Sequence, residues 1–265
     1  MTTNKEVFDQ IAESWYRVRH WPLLRKELEE LAERWRLIME KEAHPSPPLI
    51  WRGTMRKEAH PSPPLIWRGT GGRLLNVGCG HGADFLPFRQ GFELWGIDFS
   101  AQMLKQAQRY STKFSFCVNL VTADMLTLPF LDNSFDWIIA VAAYHHIKGQ
   151  NDRERAFREL RRVLKPGSEA FLTVWNKGQS RFWLKSSEQE IPWRLKGETV
   201  YRYYHLFSYS EVKELLKKVG FEILSLAPEK SYHLPMKNFS RNICALVRKQ
   251  ACVNAGIALA LRASR

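Results

Sequence analysis

The sequence predicts an α/β fold, a mostly parallel sheet with a closing antiparallel strand, preceded by N-terminal helices. Three observations carry this. Short apolar runs alternate with helical patterns from Leu74 to Val174. The first run enters a glycine-rich turn, Gly78-Cys79-Gly80-His81-Gly82, and the second ends on an acid, Asp98. Strands alternating with helices place the strands parallel and open a ligand crevice at their carboxyl edge.

Residues 1–40 read as an N-terminal helical segment, broken near Trp21-Pro22. Val7, Phe8, Ile11, Ala12 and Trp15 share one helical face, and Leu24, Leu28, Leu31, Trp35 and Ile38 another. Both stripes are read as core packing. Pro22 suits the first turn of the second helix, where its missing N–H costs nothing. Cations and aromatics crowd the junction Tyr16-Arg17-Val18-Arg19-His20-Trp21-Pro22.

Residues 41–72 are a duplicated Pro-rich linker or insert: Lys-Glu-Ala-His-Pro-Ser-Pro-Pro-Leu-Ile-Trp-Arg-Gly-Thr occurs at 41–54 and again at 57–70. Two copies are too few for a solenoid, and six prolines forbid a regular helix. An exposed, mostly extended path is expected, with no assigned role for Trp51 or Trp67. Residues 73–249 form the ligand-binding domain, and 250–265 a tail that is either a short helix or disordered.

Within that domain the expected strands are Leu74–Val77, Leu94–Ile97, Leu120–Thr122, Phe135–Val141 and Ala170–Val174. Phe85-Leu86-Pro87-Phe88 opens a helix, Ser100 caps the helix around Met103, and Arg153–Leu164 is a helix stopped by Pro166-Gly167. Ser208 with Glu211 reads as a capping box for a helix running to Val219 and ended by Gly220. Phe221–Leu226 and Asn242–Val247 form the antiparallel pair.

Composition bounds the function. The four cysteines, Cys79, Cys117, Cys244 and Cys252, show no Cys-x-x-Cys spacing, which argues against zinc and disulfides and predicts a reducing, cytoplasmic setting. No metal site is expected. No apolar run is long enough to span a membrane, and the polar N-terminus is unlike a secretory signal. The net charge of +13 is uneven: residues 148–265 hold 23 Lys/Arg against 11 Asp/Glu. A basic surface on such a scaffold points to a polyanion such as RNA, or to no more than solvated lysines.

The glycines remove side chains where the backbone turns sharply and a polar ligand comes close. Asp98, sixteen residues after Gly82, tips the run Leu94-Trp95-Gly96-Ile97 and is placed for both hydroxyls of a ribose. A nicotinamide-binding loop would want Gly-x-Gly-x-x-Gly, and here the third glycine is one residue early. A tight turn without a ligand is the plain structural alternative. After the third strand, Ala123-Asp124-Met125 offers a carboxylate to an adenine amine and a thioether to its ring face; helix capping or turn formation are the alternatives for both acids.

The turn resembles the cofactor loop of class I S-adenosylmethionine (SAM) methyltransferases, with Asn76 where that family most often has an acid. Leu128-Pro129-Phe130-Leu131-Asp132-Asn133-Ser134-Phe135-Asp136 and Leu160-Arg161-Arg162-Val163-Leu164-Lys165-Pro166-Gly167 are similar to the same family, over about 73–176 in all. The resemblance implies a Rossmann-like class I methyltransferase fold and SAM as cofactor. It implies that Gly78 and Gly80, with Cys79 between them, approach the methionine part. Asp98, beside Phe99, would take the ribose; Asp124 with Met125 would read adenine; Ala140-Val141-Ala142 would lie beside the sulfonium.

Three further stretches narrow the family: Phe8-Asp9-Gln10-Ile11-Ala12 leading to Arg17-x-x-x-Trp21-Pro22, Ala140-Val141-Ala142-Ala143-Tyr144-His145-His146-Ile147, and Arg202-Tyr203-Tyr204-His205-Leu206-Phe207. They look like the tRNA wobble-uridine methyltransferases that esterify a 5-carboxymethyl group, including the domain fused to AlkB-type tRNA hydroxylases. That group is ionised at neutral pH, with a pKa of about 4, and needs no general base. Alignment with the methyl and exclusion of water are the catalytic tasks. Candidate holders of the anion are Arg17, His145, His146, Arg202, Tyr203, Tyr204 and His205, with Trp175 and Tyr204 available to stack on a base. The bland alternatives are a surface arginine at 17 and a core or loop histidine at 146. The implied partners are tRNA and a small zinc-containing activator protein. Two other readings stay open: a small-molecule methyltransferase acting on a quinone or polyketide hydroxyl, which needs a base and an apolar pocket, and a non-catalytic RNA-binding relative.

Overall fold

The computed structural model describes residues 3–18, 22, 24–41 and 71–251. The duplicated stretch with Trp51 and Trp67, the junction residues Arg19, His20 and Trp21, and the tail from Cys252 lie outside the described residues.

The apolar runs become strands: β1 (Arg73–Val77), β2 (Glu93–Asp98), β3 (Asn119–Thr122), β4 (Phe135–Val141), β5 (Leu164–Trp175), β8 (Phe221–Pro228) and β9 (Asn242–Lys249). They form one sheet in the order β3-β2-β1-β4-β5-β9-β8. Pairing is parallel from β3 through β5 and antiparallel at β5–β9 and β8–β9. β1 and β4 are buried at nearly every position because both faces are covered. The strand order reverses between β1 and β4, so a crevice opens above their C-terminal ends.

Among the described residues there are five α-helices: α1 (Asn4–Val18), α2 (Arg25–Lys41), α3 (Ala101–Lys113), α4 (Gln150–Val163) and α5 (Tyr209–Lys218). One face packs Ala156, Phe157 and Leu160 of α4 and Val212 and Leu216 of α5 against the strands. The other packs Leu28 and Trp35 of α2 with Phe85, Phe88 and Tyr110. Trp35 stacks on Trp137, ring centroids 4.9 Å apart, and its indole N–H donates to Glu169 at 3.1 Å. Arg34 and Arg248 bond the same carboxylate at 2.6 and 2.9 Å. Burial opposes the Glu169 charge, but these donors outweigh it and hold its pKa below the ordinary value.

Several boundaries differ from expectation. The segment after the glycine turn is a 3₁₀ stretch, Ala83–Phe88, rather than the opening of an α-helix; Pro87 lies inside it and supplies no N–H. α4 ends at Val163 before Pro166 is reached, and β5 already begins at Leu164. Ser100 caps α3, accepting from the Met103 N–H at 3.1 Å. Ser208 likewise caps α5, but Glu211 turns its carboxylate to His205 Nε2 at 2.7 Å. The sequence reading missed a second sheet, the hairpin β6 (Glu188–Arg194) and β7 (Thr199–His205). β6 alternates half-buried and exposed residues and carries Pro192 and three charges, a weak strand signature.

Candidate active site

A cavity of about 510 Å³ sits above the C-terminal ends of β1, β2 and β4. That volume falls in the range of small-molecule sites. Its base is the turn after β1. Gly78 has φ +71°, and a Cβ there would stand 2.5 Å from the Ala143 Cβ. Gly80 has φ +53° and opens onto free space. Both positions need glycine, one for close approach and one for a left-handed backbone facing the cavity.

Asp98 ends β2 at 7% exposure. One carboxylate oxygen accepts from the Gly80 N–H and the other from the Ser100 N–H, each at 2.9 Å. Burial pushes its pKa up to about 6, against these two backbone donors. Each oxygen keeps a further acceptor site, and Asp98 lines the cavity. Cys79 between the glycines is a buried thiol held in its neutral form by burial and by the Asp98 charge. Asp124 is exposed on the cavity wall; one of its oxygens accepts from the Leu126 N–H at 2.9 Å. Met125, Phe99 and Met103 line the same wall.

At the end of β4, Ala142 takes φ +54°, rare for a non-glycine residue, and its N–H donates to Thr173 Oγ1 at 3.0 Å. Val141, Ala142 and Ala143 line the cavity. Ala140 does not: it packs into the core beneath with Ile138. Strand alternation sends it to the opposite face from its neighbours.

The same alternation divides Arg202-Tyr203-Tyr204-His205. Arg202 and Tyr204 face the cavity, whereas Tyr203 and His205 do not line it. His205 is buried against Glu211, and Tyr203 engages Asn4 and His146 through its backbone. Arg17 is also absent from the cavity: its side chain is 70% exposed and pairs with Glu13 at 3.3 Å, because α1 turns Val7, Phe8, Ile11 and Ala12 inward. Three expected holders of the anion, Arg17, Tyr203 and His205, therefore stand elsewhere.

His145, His146, Tyr204 and Trp175 come together. His145 stacks on Tyr204 at 4.7 Å, and Trp175 lies 4.5 Å from Tyr204. Burial drives the His145 pKa well down and that of His146 to about 3, so both rings are neutral at pH 7. His146 Nδ1 lies 3.0 Å from the Tyr203 carbonyl, which can only accept, so that nitrogen carries the proton. Positive charge comes instead from Arg202, set over the rings of Trp15, Trp193 and Tyr204 at 5.0–5.5 Å, and from Arg181 and Arg241, at 4.8 and 5.6 Å from Trp175. Burial first, and then the neighbouring Arg241 charge, press the Arg181 pKa down.

Sequence reasoning missed Arg181 and Arg241, which sit alone in irregular segments with no periodicity to mark them. Phe8 and Trp15 do pack in a core cluster, as their stripe predicts, and in addition both line the cavity, as its roof. Two further residues fix that roof: Asn4 donates to the His146 and Tyr203 carbonyls at 3.2 Å, and Asp9 accepts from Ser100 Oγ at 2.6 Å.

The donor set and the open glycine edge fit a nucleoside whose ribose hydroxyls would meet an unneutralised buried carboxylate. Comparison with known proteins agrees. Residues 75–172 match the methyltransferase domain family. A protein of Encephalitozoon cuniculi named as a methyltransferase is 37% identical over 164 residues, 59% of this chain and 73% of its own length. The tRNA (carboxymethyluridine(34)-5-O)-methyltransferase of Schizosaccharomyces pombe is 27% identical over 57% of this chain and 73% of its own length. The chain spans only 35% of the human probable tRNA methyltransferase 9B, which it also matches. Among solved structures, the CcbJ methyltransferase of Streptomyces caelestis superposes with a TM-score of 0.64 over 94% of this chain and 100% of that one, at 16% identity, a likeness of fold alone.

The chain belongs to the class I SAM-dependent methyltransferases. It is an enzyme, and its cofactor is SAM.

Proposed function

We propose that this enzyme methylates the carboxylate of 5-carboxymethyluridine at the tRNA wobble position, giving the methyl ester. One observation carries the reading: three guanidiniums, Arg181, Arg202 and Arg241, gather with Trp175 and Tyr204 on a cavity whose two histidines are neutral. Bound SAM supplies an electrophilic methyl group. Asp98 accepts the ribose hydroxyls, Asp124 the adenine amine, and the backbone of Gly78–Gly80 borders the methionine part. The arginines hold the substrate carboxylate without protonating it, since a guanidinium keeps its proton. Trp175 and Tyr204 offer ring faces to the unpaired base. An ionised nucleophile needs no base, and a histidine with a pKa of about 3, as His146 has, is a poor one for drawing a proton from a hydroxyl substrate. The name of the fission-yeast relative supports the same choice.

The reading extends to a small activator protein, which could add to a free sheet edge; among the described residues β3 pairs only with β2, as β8 at the other end pairs only with β9. The test is nucleoside mass spectrometry of hypomodified tRNA after incubation with SAM. The expected product is the methyl ester of carboxymethyluridine; transfer only to a small metabolite would overturn the assignment.

A further inference from the structure

Two segments beside the cavity are locked together into a platform whose outer face takes no part in the proposed reaction. Asn176, 2% exposed, donates through its side chain to the carbonyls of Asn238 and Ser240 at 2.8 and 2.9 Å. Gln179 bonds the Arg241 carbonyl at 3.1 Å. The backbones approach so closely that a Cβ on Gly178 would collide with the Asn238 carbonyl oxygen. Phe182 is buried and anchors the first segment, turning Arg181 toward Trp175 and the cavity.

The outer face is apolar, aromatic and cationic. Trp183 is 70% exposed and meets the half-open Phe239 edge-on at 6.4 Å; Leu184 and Met236 flank them in solvent. Segments 176–187 and 231–241 contain no Asp or Glu, and carry Lys177, Arg181, Lys185, Lys237 and Arg241. Among the described residues none of these five makes an ion pair. Exposed rings interleaved with unneutralised cations are the surface on which single-stranded nucleic acid stacks and lays its phosphates. A protein partner would favour a face depleted in lysine. The platform is also continuous with the cavity, because Arg181 and Arg241 belong to both.

Resting on the proposed function, we propose that this platform carries the RNA strand adjoining the target nucleotide, with one flanking base on Trp183 against Phe239 and its phosphates on Lys185 and Lys237. The exposed indole then has a partner, and the target base reaches the cavity past Arg181 and Arg241.

The test measures binding rather than turnover. A fluorescent anticodon stem–loop carrying 5-carboxymethyluridine is titrated with the whole chain, and SAM affinity by calorimetry serves as the folding control. Trp183→Ala should weaken RNA binding about tenfold. The Lys185→Ala/Lys237→Ala double variant should flatten the dependence of log K on log salt by about 0.7 for each lost phosphate contact. SAM affinity should not change. RNA binding by Trp183→Ala equal to that of the wild type overturns the proposal and leaves the face to a protein contact; absence of RNA binding by the wild type overturns it too. Ester formation by the wild type is scored separately. No ester with RNA binding intact counts against the proposed reaction; ester formed with binding untouched by Trp183→Ala counts against the platform.

Discussion

Asp98 and Glu169 are two buried carboxylates in one sheet, 7% and 2% exposed, and they are treated in opposite ways. Glu169, in the first half of β5, takes hydrogen bonds from two arginines and a tryptophan, which tie α2 to the sheet. Asp98, at the C-terminal tip of β2, has only backbone N–H donors and no paired cation among the described residues, and borders the cavity. One pKa is held down and the other is pushed up to about 6. A structural charge is neutralised by the fold. The charge proposed to bind the cofactor is left short of donors, so that a ligand could complete the set.

The largest expected effect lies at the structural end. Glu169→Ala leaves the buried Trp35 indole and the half-exposed Arg34 without their acceptor, Arg248 keeping only Glu222 at 3.8 Å, and should cost about 3 kcal/mol of stability, read by urea denaturation. SAM affinity of the folded fraction should be unchanged; a parallel loss of SAM binding would erase the contrast. The pH dependence follows from the depressed pKa. Glu169 contributes its stability above the ordinary carboxylate pKa and loses it as pH falls through the folded value.

Asp98→Asn should do the reverse, weakening SAM binding roughly a hundredfold by calorimetry at a smaller cost in stability. Its pH signature has the opposite sign. With a folded pKa of about 6, above the ordinary 3.8, lowering pH between those values protonates the folded carboxyl while the unfolded one stays ionised. This group alone therefore favours the fold more as pH falls. SAM affinity should run the other way, level above pH 6 and dropping up to tenfold per unit below it, because the ribose hydroxyls need an ionised acceptor. A flat affinity from pH 5 to 7 would show that Asp98 is not that acceptor.

A smaller effect tests the substrate side. Arg241→Ala should raise the KM for tRNA about tenfold and leave the Kd for SAM alone. A change confined to SAM binding would move Arg241 to the cofactor side. The two sides also differ in how legible they were. The cofactor edge is built from neighbours in sequence, a glycine turn and strand tips, where local backbone geometry dictates the residue. Gly78, Gly80, Asp98 and Asp124, the proposed cofactor contacts, stand out in the sequence for that reason, and all four line the cavity. The substrate wall is built from side chains at 15, 175, 181, 202 and 241, which only tertiary structure brings together. Even the Arg202–His205 string, plain in the sequence, could be divided into cavity-facing and outward halves only once the hairpin β6–β7 was known, since the strand period decides which side chain points inward.

Arg17 and Arg202 make the last comparison, with the smallest expected effect. Both were read from the sequence as cations for the substrate. Arg202 is 5% exposed and enclosed by three rings. Arg17 is solvent-facing on α1, one turn from its partner Glu13, which Arg109 also holds at 2.9 Å. An exposed pair of this kind is screened and contributes little. Because Glu13 retains Arg109, Arg17→Ala leaves no buried charge behind it. Turnover of tRNA and SAM affinity should each change less than twofold, measured at matched ionic strength. A loss of tenfold or more in turnover would mean that α1 carries a substrate contact beyond the roof formed by Phe8 and Trp15, and would return Arg17 to the active site.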